Sequence, residues 1–123
     1  MHEKIPFIAL NTTNIPWAQN VTLFELNGAP RKTHPNLKCK LLMQDKERGQ
    51  VAAIVQFPPG HIEEPHAHSV SHSVIVLEGE QHVDGKILRT GDFHYAPGDV
   101  QHGPFSYPLG CTIFAVWYVP PNA

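Results

Sequence analysis

The sequence predicts an all-β fold, and two observations lead to that prediction. Twelve prolines and nine glycines interrupt the 123 residues at short intervals, which leaves little room for a helix of ordinary length. Between them lie short runs of β-branched and aromatic residues, with turn signals roughly every eight to twelve residues, as in β-sandwiches and barrels. We therefore expect at least seven short strands around one core.

Each expected strand is bounded by residues that favour turns. The run at 37–43 alternates apolar side chains with Lys38 and Lys40, as in a half-buried strand. Asp84-Gly85 separates two short runs and is a strong local hairpin signal. The expected strands are 21–26, 37–43, 51–57, 73–77, 82–83, 86–88, 93–96 and 112–119.

The length fits one domain, 1–123, with a single hydrophobic core. Within it we expect an N-terminal arm with edge strands over 1–36 and a core barrel over 37–119. The first twenty residues leave two alternatives open. Residues 5–10 could form an edge strand, and Pro16-Trp17 could anchor the arm on the barrel or on a second subunit.

Composition excludes several classes of protein. The formal net charge is -2 and the charges are scattered, which argues against nucleic acid or an anionic membrane as a partner. No apolar run reaches the roughly 20 residues of a membrane helix, and the N-terminus lacks the apolar region of a signal peptide. We expect a cytoplasmic protein in which Cys39 and Cys111 are buried, reduced thiols.

Histidines carry the functional signal. The chain has nine, and seven of them lie between residues 61 and 102: His61, His66, His68, His72, His82, His94 and His102. In a strand, His66 and His68 would point to the same side, about 7 Å apart. His72 begins the next expected strand and is a third candidate ligand. No local spacing brings His102 to the other three, and only a closed barrel would do so.

The first group of histidines has a recognisable spacing. Gly60-x5-His66-x-His68-x3-His72-x6-Gly79 resembles the first sequence motif of the cupin superfamily. In that motif the position of His72 is usually Glu. The substitution would turn the usual shell of three His and one Glu into a shell of four His.

A second spacing follows in the expected order. Gly91-x5-Pro97-x4-His102 resembles the second cupin motif, in which Pro precedes the last metal-ligand His by five residues. The family pattern places Gly two residues after that Pro, where this chain has Asp99. The Asn often found four residues beyond the last His is Ser106 here.

The resemblance covers roughly residues 37–119 and implies a double-stranded β-helix, the jelly-roll barrel of cupins. The segments 57–60, 76–80 and 110–111 look most like small single-domain cupins, among them the cupin domains of zinc-dependent anti-sigma factors and C–C-cleaving dioxygenases. The resemblance also implies one divalent transition metal ion per chain, which would be Fe, Mn, Ni, Cu or Zn. The ion would be held by His66, His68, His72 and His102. A small-molecule ligand would bind in the barrel.

Other polar residues have weaker claims. His94 could face the cavity as a hydrogen-bond partner or an acid/base group, but strand parity does not decide which side is inward. Glu63 and Glu64 are expected in a solvated loop, where one could act as a base at the mouth of the site. We expect the remaining histidines to be solvated; these are His2, His34, His61 and His82.

The aromatic residues of the expected strands could line the cavity, although aromatic residues in strands belong first to the core. These are Phe57, Phe93, Tyr95, Phe105 and Trp117. The sequence contains no catalytic triad pattern, phosphate-binding glycine loop or CxxC pair, so nucleophilic and nucleotide chemistry have no support.

Four neutral imidazoles leave a bound divalent ion its full charge, which favours an anionic ligand. In octahedral geometry two positions stay open for an enolate or diketonate, whereas a tetrahedral zinc site would be closed. The sequence therefore predicts a metal-dependent oxygenase acting on a small, chelating, enolisable substrate.

Two alternatives to the oxygenase stay open. One is a non-catalytic metal-binding or sensor module, and the other is a metal-dependent isomerase or carbohydrate-binding cupin. By resemblance to small cupins, which commonly pair through edge strands, we also expect a homodimer in which 5–10 and 21–26 supply an apolar arm.

Overall fold

A computed structural model describes residues 5–23, 31–65 and 70–118 of the chain. Within these ranges the regular structure is β-strand apart from one 3₁₀ turn, Thr12–Asn14. No helix in the described ranges is long and apolar enough to cross a membrane. The strands are β1 (Thr22–Leu23), β2 (Arg31–Lys32), β3 (Lys38–Asp45), β4 (Gln50–Phe57), β5 (His61–Glu63), β6 (Ser71–Gly79), β7 (Gln81–Val83), β8 (Lys86–Leu88), β9 (Phe93–Ala96), β10 (Phe105–Tyr107) and β11 (Cys111–Tyr118).

Two antiparallel sheets enclose the core. One has five strands in the order β3-β4-β11-β6-β9, and the other has four in the order β5-β10-β7-β8. Strands β1 and β2 form a separate antiparallel pair. Inward residues of β3, β4, β6 and β11 meet Phe105 and Tyr107 of β10 in one buried apolar cluster. The all-β jelly-roll prediction is confirmed.

The two hairpins with the clearest turn signals form as expected. Strand β3 pairs with β4 around a turn in which the buried Asp45 accepts a hydrogen bond from the backbone N–H of Arg48, at 3.1 Å. Strand β7 pairs with β8 around Asp84 and Gly85, whose φ angles are 54° and 74°. Positive φ at both central residues is what a tight hairpin turn of this kind requires.

The N-terminal part of the chain is anchored on the barrel rather than paired as an edge strand. Residues 5–10 are exposed or nearly so and form no strand, so the edge-strand alternative is wrong. Ala18 instead forms an isolated antiparallel bridge with Cys39 in β3. The Nζ of Lys40 lies 4.7 Å from the Trp17 ring centroid and donates a hydrogen bond to the carbonyl of Thr12 at 2.8 Å. Parts of two expected strands lie outside the described ranges: residues 24–26 of the strand expected at 21–26, and residue 119 of the strand expected at 112–119. The division of the chain into an arm over 1–36 and a barrel over 37–119 stays a prediction.

The sequence did not predict β2, and it did not predict the two three-residue strands β5 and β10. Strand β10 pairs with β5 on one side and with β7 on the other, and these neighbours are distant in sequence. Each has three residues, too few to show a clear period of their own. They carry Glu63 and Tyr107 into the neighbourhood of the histidines.

The two cysteines are buried and free, as the sequence predicts. Burial raises the pKa of the Cys39 thiol to about 11 and that of the Cys111 thiol to about 12, from an ordinary value of 9.0. Both side chains are therefore neutral thiols within the core at physiological pH.

Candidate metal centre

His72 lies on the inward face of the five-stranded sheet. It is the second residue of β6, directly opposite Ala96 of β9 and Trp117 of β11. Only 7% of its surface is exposed, and its ring centroid lies 6.4 Å from that of Trp117. The alternation of β6 explains this position, because His72, Val74 and Val76 are all buried on one face.

The barrel brings His102 to His72 although the two are thirty residues apart in the sequence. Their ring centroids are 5.5 Å apart, with the ring planes at 70°. The Nδ1 of His102 lies 3.0 Å from the carbonyl oxygen of Val100. Because a carbonyl oxygen only accepts hydrogen bonds, the Nδ1–H of His102 is the donor of this contact. Two of the four predicted ligands therefore meet.

His66 and His68 lie outside the described residues, so their predicted role stays a prediction. The chain on either side of 66–69 is described. A Cβ placed on Gly103, next to His102, would lie 3.2 Å from the Cα of Pro65, and the segment resumes at Val70, immediately before β6. Among the described residues, no group of three or more His, Cys, Asp or Glu is arranged to hold a metal ion.

His94 faces the interior, which the sequence left open. It lies on β9 opposite Val74, and its Nε2 is 3.4 Å from the Nε2 of His72. Its Nδ1 is 2.8 Å from the Oε1 of Gln81. Burial, and secondarily the nearby His102, lowers the pKa of His94 to about 4, so its imidazole is neutral at physiological pH.

A chain of buried polar side chains continues from His94 through the barrel. Gln81 is 2% exposed, and its Nε2 donates a hydrogen bond to the hydroxyl of Tyr107 at 3.1 Å. Burial raises the pKa of the Tyr107 hydroxyl above its ordinary value of 10.0, and the negative charge of Glu63 raises it further. Sequence reasoning missed Gln81 and Tyr107, because the pairing of β10 with β7 that unites them has no local signal.

Two expectations about polar residues in this region are wrong. His61 was expected to be solvated, but it is 8% exposed, with its ring centroid 5.6 Å from Phe57 and 5.9 Å from Tyr107. The reason is the pairing of β5 with β10, which turns this residue toward the core. Glu63 was expected in a loop, but it is the last residue of β5, with Oε2 3.8 Å from the Nε2 of His61.

The aromatic candidates divide between the two faces of the sheets. Phe57 and Phe105 are buried, and Trp117 packs against the core. Phe93 and Tyr95 alternate with His94 on β9, so they point outward and are 56% and 52% exposed. They do not line the interior.

The side chains of this region are of a type that binds transition metals, although the three described histidines are not by themselves arranged to hold one. His72, His94 and His102 present imidazole rings to one another, and imidazole is a common ligand of Zn, Cu, Fe and Ni. Phe105 lies beside both His94 and His102, with ring centroids 5.9 and 5.4 Å away. Apolar walls of this kind limit the access of water to a site.

A jelly-roll barrel with inward histidines on β6 and after β9 defines a cupin. The chain belongs to the ChrR cupin-like domain family, whose model matches residues 26–118. Dimethylsulfoniopropionate lyase DddW of Ruegeria pomeroyi is 32% identical over 107 residues, which are 81% of this chain and 70% of the lyase.

Solved structures share the fold. An RmlC-like cupin from Shewanella frigidimarina is 25% identical, with a TM-score of 0.68 and coverage of 97% of this chain and 95% of that one. An acetylacetone dioxygenase from Acinetobacter johnsonii is 15% identical, with a TM-score of 0.64 and coverage of 96% and 76%. At 15% identity the likeness to the dioxygenase concerns the fold alone.

Proposed function

We propose that the protein is a metal-dependent enzyme, an oxygenase that acts on a small, chelating, enolisable substrate inside the barrel. His66, His68, His72 and His102 would hold one divalent transition metal ion per chain. The observation that carries this proposal is the meeting of His72 and His102, with ring centroids 5.5 Å apart, inside the barrel. Pro65, which precedes His66 in the sequence, lies beside Gly103, the residue after His102.

The chain's own residues prepare the site for an anion. Neutral imidazoles add no negative charge, so the site attracts anionic oxygen ligands such as an enolate or a carboxylate. When bound, a divalent metal supplies Lewis-acid activation and a template for the substrate. Trp117 and Phe105 provide apolar walls beside the histidines, which strengthens electrostatic interactions by excluding water.

Metal content and oxygen consumption test the proposal. Untagged protein analysed by elemental mass spectrometry should carry about one transition metal ion per chain, and His72→Ala should lose it. His82→Ala is the matched control, because His82 lies on β7, hydrogen-bonded to Glu80 at 3.1 Å. The iron-loaded protein should consume oxygen with at least one β-diketone or α-hydroxyketone. If it consumes none with a panel of both classes, the oxygenase proposal is wrong.

A second candidate reaction is favoured by the 32% identity to a dimethylsulfoniopropionate lyase. In such an elimination a base removes a proton from the carbon next to the carboxylate, a C=C bond forms, and the C–S bond breaks to release dimethyl sulfide. Gas chromatography would detect dimethyl sulfide after incubation with the metal-loaded protein. Sulfide release without oxygen uptake would replace the oxygenase by a lyase. Tightly bound zinc with neither reaction would favour a metal-sensing module.

We also propose a homodimer, as the sequence predicts, but one that pairs through the outer face of the five-stranded sheet rather than through an arm of residues 5–10 and 21–26. Phe93 pairs with Ile75, which pairs with Phe114, so these outward side chains form an apolar row that continues beside Tyr95. Contiguous exposed apolar patches of this kind mark interaction sites. In sedimentation experiments at micromolar concentration, Phe93→Glu should give a monomer, whereas the control Leu109→Glu, at a residue that is even more exposed, should not. A monomeric wild type would contradict the pairing.

We propose the reducing cytoplasm as the compartment of the protein, because its two free thiols stay reduced there.

A further inference from the structure

We infer that a groove at one end of the barrel binds a short peptide of two or three residues whose two termini are free. The groove lies between the turns at 58–59 and 109–110 and has a volume of about 410 Å³, within the usual range of ligand pockets. It borders Gly79, the last residue of β6, whereas His72 is the second residue of that strand. These two residues are roughly 23 Å apart along the strand, so the groove is separate from the candidate metal centre.

The floor of this end groove is a row of polar side chains that crosses the five-stranded sheet. Four strands contribute one residue each, and neighbours in the row are paired across adjacent strands. The row consists of Lys38 of β3, Gln56 of β4, Thr112 of β11 and Glu78 of β6. Residues paired directly across an antiparallel sheet point to the same face, so the four side chains share the outer face.

A β-bulge places Glu78 in this row. Val76 is buried in the core, and strict alternation along β6 would send Glu78 inward as well. The register between β6 and β11 shifts between Thr112 and Ile113, and Glu78 is exposed on the outer face as a result. Bulges of this kind re-aim a side chain and are common next to functional sites.

The two ends of the row carry opposite charges. Lys38 lies at one end and Glu78 at the other, and both are exposed. Three strand spacings separate them, so their Cα atoms are about 14 Å apart. Within the part of the chain that the structure describes, neither side chain forms a hydrogen bond or an ion pair. Both charges are therefore available to a ligand.

This arrangement matches a short peptide with free termini. Two or three extended residues span about 7–11 Å, and the long side chains of Lys38 and Glu78 cover the remaining distance. The terminal carboxylate would pair with Lys38 and the terminal ammonium with Glu78. Between them, the Gln56 amide and the Thr112 hydroxyl each donate and accept hydrogen bonds, as a peptide group requires. Leu109, which is 68% exposed, offers an apolar contact at the wall of the groove.

The walls of the end groove are held in place by the backbone. The N–H of Gly110 donates a hydrogen bond to the carbonyl of Tyr107 at 3.0 Å, and the carbonyl of Gly110 accepts one from Glu80 at 3.2 Å. A Cβ on Gly79 would lie 2.2 Å from the Gly110 oxygen, and a Cβ on Gly110 would lie 3.2 Å from that of Phe57. Such close packing makes the groove preformed, which reduces the cost of binding.

Two-dimensional NMR of the full chain tests this peptide site. On titration with glycyl-leucine and with Gly-Leu-Gly to millimolar concentration, the backbone amides of Gly79, Gly110 and Thr112 should shift, and that of His72 should not. If no amide of the end groove shifts, or if the shifts lie elsewhere, the peptide site is wrong. Neither result bears on metal content or oxygen consumption, so the function proposed above is tested separately.

Capped peptides test the role of the two charges. Amidating the C-terminus or acetylating the N-terminus removes one charge, and each should weaken binding by about two- to fivefold, the contribution of an exposed ion pair. Amidation should have no effect on binding to Lys38→Met, and acetylation none on binding to Glu78→Gln, because each variant has already lost the partner of that charge. Lys86→Met, at an exposed lysine of β8, is the matched control and should bind as wild type does. Equal binding of free and capped peptides to the wild type would overturn the assignment.

Discussion

Replacing Tyr107 with Phe isolates the contribution of one buried hydroxyl. Tyr107 is 1% exposed, and its ring stacks on Phe57 with centroids 4.0 Å apart and planes at 5°. A phenylalanine ring preserves this stack. The variant removes only the hydroxyl group that accepts a hydrogen bond from the Nε2 of Gln81.

The free-energy cost of Tyr107→Phe comes from the hydrogen-bond donor of Gln81 that loses its acceptor. The amide of Gln81 is almost fully buried, so its N–H loses its acceptor without gaining water. A buried polar group left without a partner costs about 1–3 kcal/mol. We expect Tyr107→Phe to lower the free energy of unfolding by that amount, which corresponds to a drop in Tm of roughly 3–12 °C for a domain of this size.

Urea unfolding followed by tryptophan fluorescence measures this change. Tyr118→Phe, at the exposed end of β11, is the control and should stay within about 0.5 kcal/mol of wild type. Adding Gln81→Leu to Tyr107→Phe should cost less than the sum of the single changes, because the two side chains interact. A Tyr107→Phe variant as stable as the control would refute the hydrogen-bond chain.

Three further predictions concern the thiols, a glycine and the metal. Burial raises the pKa of Cys39 to about 11 and that of Cys111 to about 12, so the thiols of the unfolded chain lose their protons at lower pH than those of the folded protein. The free energy of unfolding should therefore fall as pH rises from about 9 toward 11. Urea unfolding midpoints that do not change with pH would contradict this. Gly79→Ala would put a Cβ 2.2 Å from the carbonyl oxygen of Gly110, at a residue whose φ is 82°. It should lower Tm far more than Gly85→Ala, where a Cβ meets open space and the positive φ alone costs about 1–2 kcal/mol. Equal losses of Tm in the two variants would be inconsistent with the close approach of Gly79 to Gly110. Removing the metal with a chelator should lower Tm, since a ligand at 100 times its Kd stabilises by about 2.7 kcal/mol, and an unchanged Tm would argue against the site.

Much of the strand pattern could be predicted because its signals are local. Strand β9 has the predicted bounds, Phe93–Ala96, because turn residues limit it on both sides. The turn at Asp84-Gly85 was predictable because few residues accept positive φ. The bulge between Leu41 and Met43 was not, since it depends on how β3 pairs with β4.

In the candidate site, too, the sequence identified individual residues but not their arrangement in space. The spacing of His72 in its motif identified it as a candidate from the sequence, and the same holds for His102. Their meeting inside the barrel is a property of the structure. The inward direction of His94 was left open by strand parity, because parity gives alternation but not the side on which the core lies.

By itself, the sequence determined the all-β class, most of the strands, the burial of the two thiols and which histidines are candidate metal ligands. Only the tertiary structure decided that His61 is buried, that β5 and β10 exist, and that Gln81 connects Tyr107 to His94. The physical reason is the range of the interactions. Turns and strand propensities act between neighbouring residues, whereas these contacts depend on the register of strands that are distant in sequence and meet only when the barrel closes.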